Sequence, residues 1–305
     1  MRLPLALACL MLLRPAVAAS QTPASDQWLG RPVDDRTFRT FLDFFSYSRD
    51  VAFETRTVGK EEVEGITVEP LSFQSTPGQR VSALLYQPPM PEARGVIILH
   101  GGTPAGKDAA YLKLFSTLIA RAGFAVLAID LQYFGERSTE LLKTFTEQEK
   151  HEQLYNQPST YLSWVAQTVK DAGRSQDFLV KERGLDPRRI GLVGISRGAQ
   201  LGAIVAAADQ RFAAVALLEG GHFDALETGH LPAACPANYI GRISPRPLFL
   251  LNAENDADYR KEISVLPLHR VARDPKHIRW TPGGHGSFTD EDRTALVTWL
   301  QANLK

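Results

Sequence analysis

The chain has 305 residues, 44% hydrophobic, 22% charged and 9% aromatic, an ordinary globular composition that excludes disordered, fibrous and coiled-coil proteins. Its 34 Lys and Arg residues balance 34 Asp and Glu residues, so no basic field is available to hold nucleic acid or anionic lipid. Two cysteines, Cys9 and Cys235, are too few for a disulfide scaffold or a cysteine-based zinc site.

At the N-terminus, Arg2 precedes an apolar run from Leu3 to Leu13, followed by the small residues Ala16, Val17, Ala18 and Ala19. That order of charge, apolar run and small residues predicts a secretory signal over residues 1–19. A membrane anchor would need about 20 apolar residues, more than this run supplies. The expected location is therefore exported, periplasmic or secreted, with Cys235 the one cysteine of the mature chain. No later run is long enough to span a bilayer, so stable membrane insertion after cleavage is not expected.

Residues 20–66 read as an N-terminal extension packed on the core. Ser20 to Arg31 is polar, and Phe38, Phe41, Leu42 and Phe45 then recur at helical spacing. Arg80 to Tyr86 reads as a strand, and Gly95 to Leu99 as a strand buried on both faces. A helix over Asp108 to Ala122 ends at Gly123, and Phe124 to Ile129 forms the next strand. The polar stretch Leu131 to Pro158 interrupts this rhythm. Leu162, Val165, Val169 and Ala172 then mark a helix, and Ile190 to Val193 a strand. Leu201 to Ala208 is helical, and strands follow at Ala213 to Leu218, Leu248 to Leu251 and Ile278 to Trp280. The closing helix carries Asp290, Glu291 and Asp292 in its first turn and an apolar stripe through Leu296, Trp299, Leu300 and Leu304.

Alternating strands and helices of this kind predict an α/β fold, a mostly parallel central sheet with helices on both faces, occupying residues 67–305. Ligands of such sheets bind at the carboxyl ends of the strands, so reactive side chains just after each strand carry the functional signal.

Three places stand out. Gly194-Ile195-Ser196-Arg197-Gly198 follows one strand and opens a helix, a sharp turn that presents the Ser196 hydroxyl as a nucleophile. His100-Gly101-Gly102-Thr103 follows another strand, where glycines let the amides of Gly102 and Thr103 face an oxyanion together with the amide of Arg197. His100 itself, ahead of the serine, reads as a framework residue. Asp256 and His285 lie just past the last two strands and offer the orienting acid and the base that a serine nucleophile needs, in the chain order Ser, Asp, His. Glu219, behind the strand ending at Leu218, is a rival for the acid, and Asp258 a weaker one.

From Thr67 onward these motifs resemble the α/β-hydrolase family. The pattern is similar to dienelactone-hydrolase-like and acetyl-xylan-esterase-like secreted serine esterases and to prolyl-oligopeptidase catalytic domains, which share a strand like Arg80-Val81-Ser82-Ala83-Leu84-Leu85-Tyr86 before the oxyanion loop. Dienelactone hydrolases proper carry cysteine where this chain has Ser196, and the oligopeptidases carry a propeller for which the segment before Thr67 has no room. The resemblance implies ester hydrolysis through an acyl-enzyme, with Ser196, Asp256 and His285 as triad, Gly102, Thr103 and Arg197 as oxyanion hole, and no metal or organic cofactor. The substrate is then a small-molecule or glycan-linked ester. A peptidase or amidase uses the same triad and stays open, as does a non-catalytic binding protein on the same fold.

The segments Leu131 to Pro158 and His222 to Ser244 leave the sheet at its ligand-binding end and are expected to form a small loop and helix cap. Tyr133, Phe134 and His222 are the expected substrate-contacting residues. Gly135, Glu136 and Arg137 continue the turn after the Phe124 strand, where an internal Glu–Arg pair would be structural.

Overall fold

The computed structural model describes residues 27–89 and 94–305; the expected signal segment lies outside them. Ten strands form one sheet: β1 (Arg56–Thr57), β2 (Glu61–Val63), β3 (Ile66–Thr76), β4 (Gln79–Gln87), β5 (Gly95–Leu99), β6 (Ala125–Ile129), β7 (Ile190–Ile195), β8 (Ala214–Leu218), β9 (Leu248–Ala253) and β10 (Lys276–Thr281). Their order is β1-β3-β4-β6-β5-β7-β8-β9-β10, with β2 also on β3. Strands from β6 through β10 run parallel, whereas β1, β2 and β4 pair antiparallel to β3, and β4 antiparallel to β6.

The central strands β5 to β9 are buried along their whole length, which is why they read in sequence as unbroken apolar runs. Helices cover both faces. On one, the helices Pro158–Arg183 and Arg197–Ala208 pack over Leu127, Leu192, Val215 and Leu250; on the other, Ala110–Arg121 and Asp290–Asn303 pack over Val96, Val126, Ala216 and Phe249.

Strand β3 carries no expectation from the sequence, and the boundary expected between residues 66 and 67 falls inside it. Phe38, Phe45 and Phe53, all ahead of that boundary, belong to the main core, and β1 and β2 add to the same sheet. Glu136 and Arg137 do not pair with each other. Glu136 binds Lys107 Nζ at 3.0 Å and Ser82 Oγ at 2.6 Å, while Arg137 reaches Asp171 at 2.6 Å. The two side chains of a tight helical turn diverge, and each finds a partner on a different element. Among the described residues no helix is long and apolar enough to cross a membrane.

Candidate active site

Strand β7 ends in the elbow that carries Ser196. Its φ is +54°, a conformation that costs a side-chain-bearing residue about 1–3 kcal/mol and persists only where the surroundings impose it. Here they do: the Ser196 amide donates to Leu218 O at 2.7 Å, and the helix Arg197–Ala208 starts at once. The flanking glycines are sterically required. A Cβ at Gly194 would lie 2.3 Å from Gly198 O, and one at Gly198 2.4 Å from Leu99 O. The motif's spacing is therefore the condition under which strand, serine and helix fit beside β5.

His285 stands opposite, on the loop after β10. Its Nε2 lies 2.9 Å from Ser196 Oγ and its Nδ1 2.8 Å from Asp256 Oδ2. Asp256 follows β9 and is buried, and its second oxygen accepts the amides of Asp258 at 2.8 Å and Tyr259 at 2.9 Å. Those two bonds fix the carboxylate so that one oxygen faces the imidazole. Burial works against the imidazolium, but the hydrogen bond and charge of Asp256, with Glu219 and Asp258 nearby, outweigh it and raise the His285 pKa above its usual value.

Glu219, the rival acid, does come close: its Oε2 is 3.9 Å from His285 Nδ1. That oxygen, however, accepts the Gly286 amide at 2.7 Å, so Glu219 grips the histidine loop while Asp256 holds the ring. It also sits at φ +51°, just past the end of β8. Burial, only partly offset by the Gly286 hydrogen bond and His285, pushes its carboxyl up to about 7. Asp258 lies 3.9 Å from Nε2, on the outer side of the ring.

The loop after β5 supplies the opposite wall. Buried His100 faces two amides, Gly102 N–H at 3.0 Å from Nδ1 and Leu131 N–H at 3.0 Å from Nε2. Burial, helped by Lys107 and Arg137, pulls its pKa down to about 3, so the ring is neutral. A neutral imidazole has a single accepting nitrogen, hence it bonds only one of the two amides at a time. With the proton on Nδ1, His100 accepts from Leu131 and the Gly102 amide is released. The Arg197 amide opens its helix and lies outside the i→i−4 ladder, and Thr103 lines the same cavity. Of the three expected oxyanion donors, Gly102 is thus the conditional one.

Ser196 and His285 open into a cavity of about 590 Å³ walled by both excursions from the sheet: Glu147, His151 and Tyr155 from the first, Asp224, Ala225 and Leu226 from the second. Behind this wall Arg197 is buried between Asp224 and Glu227, bonds Gln200 Oε1 at 2.5 Å and lies 4.1 Å over the Tyr155 ring. Burial disfavours its charge, yet the surrounding carboxylates hold its pKa far above the ordinary range. His151 Nε2 sits 2.8 Å from Asp224 Oδ2, so one ionic cluster ties both cap segments to the residue beside the nucleophile.

The three expected substrate-contacting residues do not line this cavity. Phe134 is core, packed on His100 and Trp164 with ring centroids 5.4 and 5.8 Å apart. Tyr133 adopts φ +76° and faces a separate small crevice beside Phe134. His222 is buried against Phe223, its carbonyl accepting Gln200 Nε2. An aromatic pair in a polar stretch read as lining; Trp164 of the helix Pro158–Arg183 instead takes Phe134 into the core. The sequence missed Tyr111, whose hydroxyl accepts the Gly101 amide at 2.6 Å and reaches the cavity, because it falls on the apolar stripe of its helix. Tyr155, Asp224 and Tyr259 carried no local motif at all.

Among the described residues one group, Asp256, Asp258 and His285, brings three atoms of metal-ligating kinds within 4.8 Å of one another. The Asp256–His285 hydrogen bond already engages two of them.

Comparison with known proteins gives this architecture its relatives. No relative is found among the curated proteins. An acetyl xylan esterase from Paenibacillus sp. R4 superposes with a TM-score of 0.72 at 15% identity, covering 91% of this chain and 99% of that one. Acetyl xylan esterase 1 from Thermoanaerobacterium sp. JW/SL YS485 gives 0.66 at 14% identity, over 90% and 97% of the two chains. A cold-adapted esterase from an Arctic intertidal metagenomic library gives 0.64 at 21% identity, over 81% and 98%. The family model of the dienelactone hydrolase family matches residues 81–293, from β4 into the closing helix. With that match, and with an elbow, oxyanion loop and late histidine on one sheet edge, the chain belongs to the dienelactone hydrolase family of α/β-hydrolases.

Proposed function

We propose that this hydrolase is an exported serine esterase that cleaves a carboxylic ester through an acyl-enzyme. One observation carries the reading: His285 bridges Ser196 and Asp256, with a different ring nitrogen toward each. The Asp256 bond keeps the proton on Nδ1, which leaves Nε2 to accept the proton of Ser196 Oγ as that oxygen attacks the ester carbonyl. The carbonyl oxygen, now anionic, takes hydrogen bonds from the amides of Arg197 and Thr103, and from Gly102 when His100 releases it. Collapse breaks the bond to the alcohol, which leaves with the proton from Nε2. Water then attacks the acyl-serine by the same route, giving the carboxylic acid and restoring Ser196.

No metal or organic cofactor enters these steps. Export rests on the charge and apolar pattern of residues 1–19. The test sets short-chain acyl esters beside aminoacyl amides, with Ser196→Ala as control. The reading expects ester turnover that Ser196→Ala abolishes; amide turnover in the absence of ester turnover would make the protein a peptidase or amidase.

A further inference from the structure

Granted the esterase reading, the cavity's charges bear on which alcohol it releases. Its lining carries the carboxyl groups of Glu147, Glu219, Asp224 and Asp258 against the basic groups Arg197 and His151, besides the catalytic His285. Three of the four carboxylates are engaged. Glu147 binds Lys150 Nζ at 2.6 Å, Asp224 binds Arg197 and His151, and Glu219 accepts the Gly286 amide. Arg197 is equally committed: its guanidinium is closed in by Asp224, Glu227 and the Tyr155 ring, and its side chain is only 6% exposed. It has no open face for an incoming anion.

Asp258 differs from all of these. Its side chain is 62% exposed, much like that of Glu147 at 66%, but among the described residues no Lys or Arg lies within ion-pair distance of it. The basic group nearest it is His285 Nε2, 3.9 Å away, the atom that hands the proton to the departing alcohol, and the Asp256 carboxylate lies within 4.8 Å on the far side of that ring. The alcohol's carbons therefore pass beside this carboxylate, with the rings of Tyr259 and Phe288 also on the cavity wall. A cation there gains from the carboxylate, and an anion meets its repulsion.

We propose that the site selects on the charge of the leaving alcohol, favouring esters of cationic amino alcohols over neutral ones and rejecting esters whose alcohol bears a carboxylate. A unit charge about 6 Å from Asp258 in a half-aqueous dielectric changes kcat/KM by about tenfold at low salt.

The experiment compares acetylcholine, its neutral isostere 3,3-dimethylbutyl acetate and anionic 3-acetoxypropionate. Their kcat/KM values with the wild-type protein are measured at low and high ionic strength, and their binding to Ser196→Ala at low ionic strength. The expected order is cation over neutral over anion in both readouts, about tenfold per step at low salt, compressed at high salt and by Asp258→Asn. Equal kcat/KM for the cation and the anion, or an order that Asp258→Asn leaves untouched, overturns the proposal. Ordered binding to Ser196→Ala without turnover of any ester by the wild type upholds the charge selection and instead removes the esterase reading.

Discussion

The carboxyl edge of the sheet and the cap above it are built from different materials. Strands β5 to β9 are buried apolar runs, and the triad residues follow β7, β9 and β10 on short, tightly bonded turns. The cap segments, residues 131–158 and 222–244, hold only short helical turns and are anchored through polar groups. Examples are Asn156, which bonds Leu226 O and Thr228 N at 3.0 Å each, and the Arg197, Asp224, Glu227 and His151 cluster. Apolar packing tolerates little displacement and so gives the reacting atoms their precision. A polar anchor is worth less per contact and more easily altered, which suits the part of a hydrolase that shapes the substrate pocket.

Perturbing each region separately tests that contrast. The largest effect is expected at the edge: Asp256→Asn should leave the fold intact by circular dichroism but misplace the His285 proton, lowering ester turnover by about 10³- to 10⁴-fold. Near-normal turnover in Asp256→Asn with a crippled Glu219→Gln would mean that the acid acts from the end of β8. Where the cap meets the edge, Arg197→Ala strands the buried Asp224 and Glu227 carboxylates of the cap and should cost about 3–5 kcal/mol of stability by denaturant unfolding. A loss under about 1 kcal/mol would show that the cluster does not hold the cap.

The smallest expected effect is the most diagnostic of the edge's electrostatics. His285 must be neutral to accept the serine proton, and its pKa is raised, so kcat/KM should fall as pH drops through a value above the ordinary 6.5 of histidine. Glu219, itself ionising near 7, favours the imidazolium when charged. Glu219→Gln should therefore move the acid limb to lower pH while changing the high-pH plateau by less than about tenfold. An acid limb that stays in place, measured from pH 5 to 9, would exclude Glu219 from the histidine's environment.

What the sequence made legible follows the same division. The strands buried on both faces, the Ser196 elbow and the late His285 announce themselves because backbone geometry restricts their residue types: glycine at 194 and 198 is the only side chain that fits. Strand β3 stayed hidden since Glu69 and Pro70 interrupt its apolar pattern; buried Glu69 is compensated by Arg183, 114 residues away at 2.9 Å, and by Lys60 at 3.7 Å. The helix Pro158–Arg183 was visible for four apolar residues but runs for 26, because buried Asp171, Arg174 and Asp177 take partners from remote segments. The pocket wall is of this second kind. Tyr155, Asp224 and Tyr259 meet only in three dimensions, and no local pattern could have singled them out over Tyr133, Phe134 and His222.

The nucleophile is the central claim, and covalent trapping tests it most directly. The folded protein is treated with a fluorophosphonate and the adduct mapped by peptide mass spectrometry. Modification of Ser196 alone, slowed when His285 is protonated in acid and absent in Ser196→Ala, is the predicted result; a label on any other serine, or none on the folded protein, would contradict it.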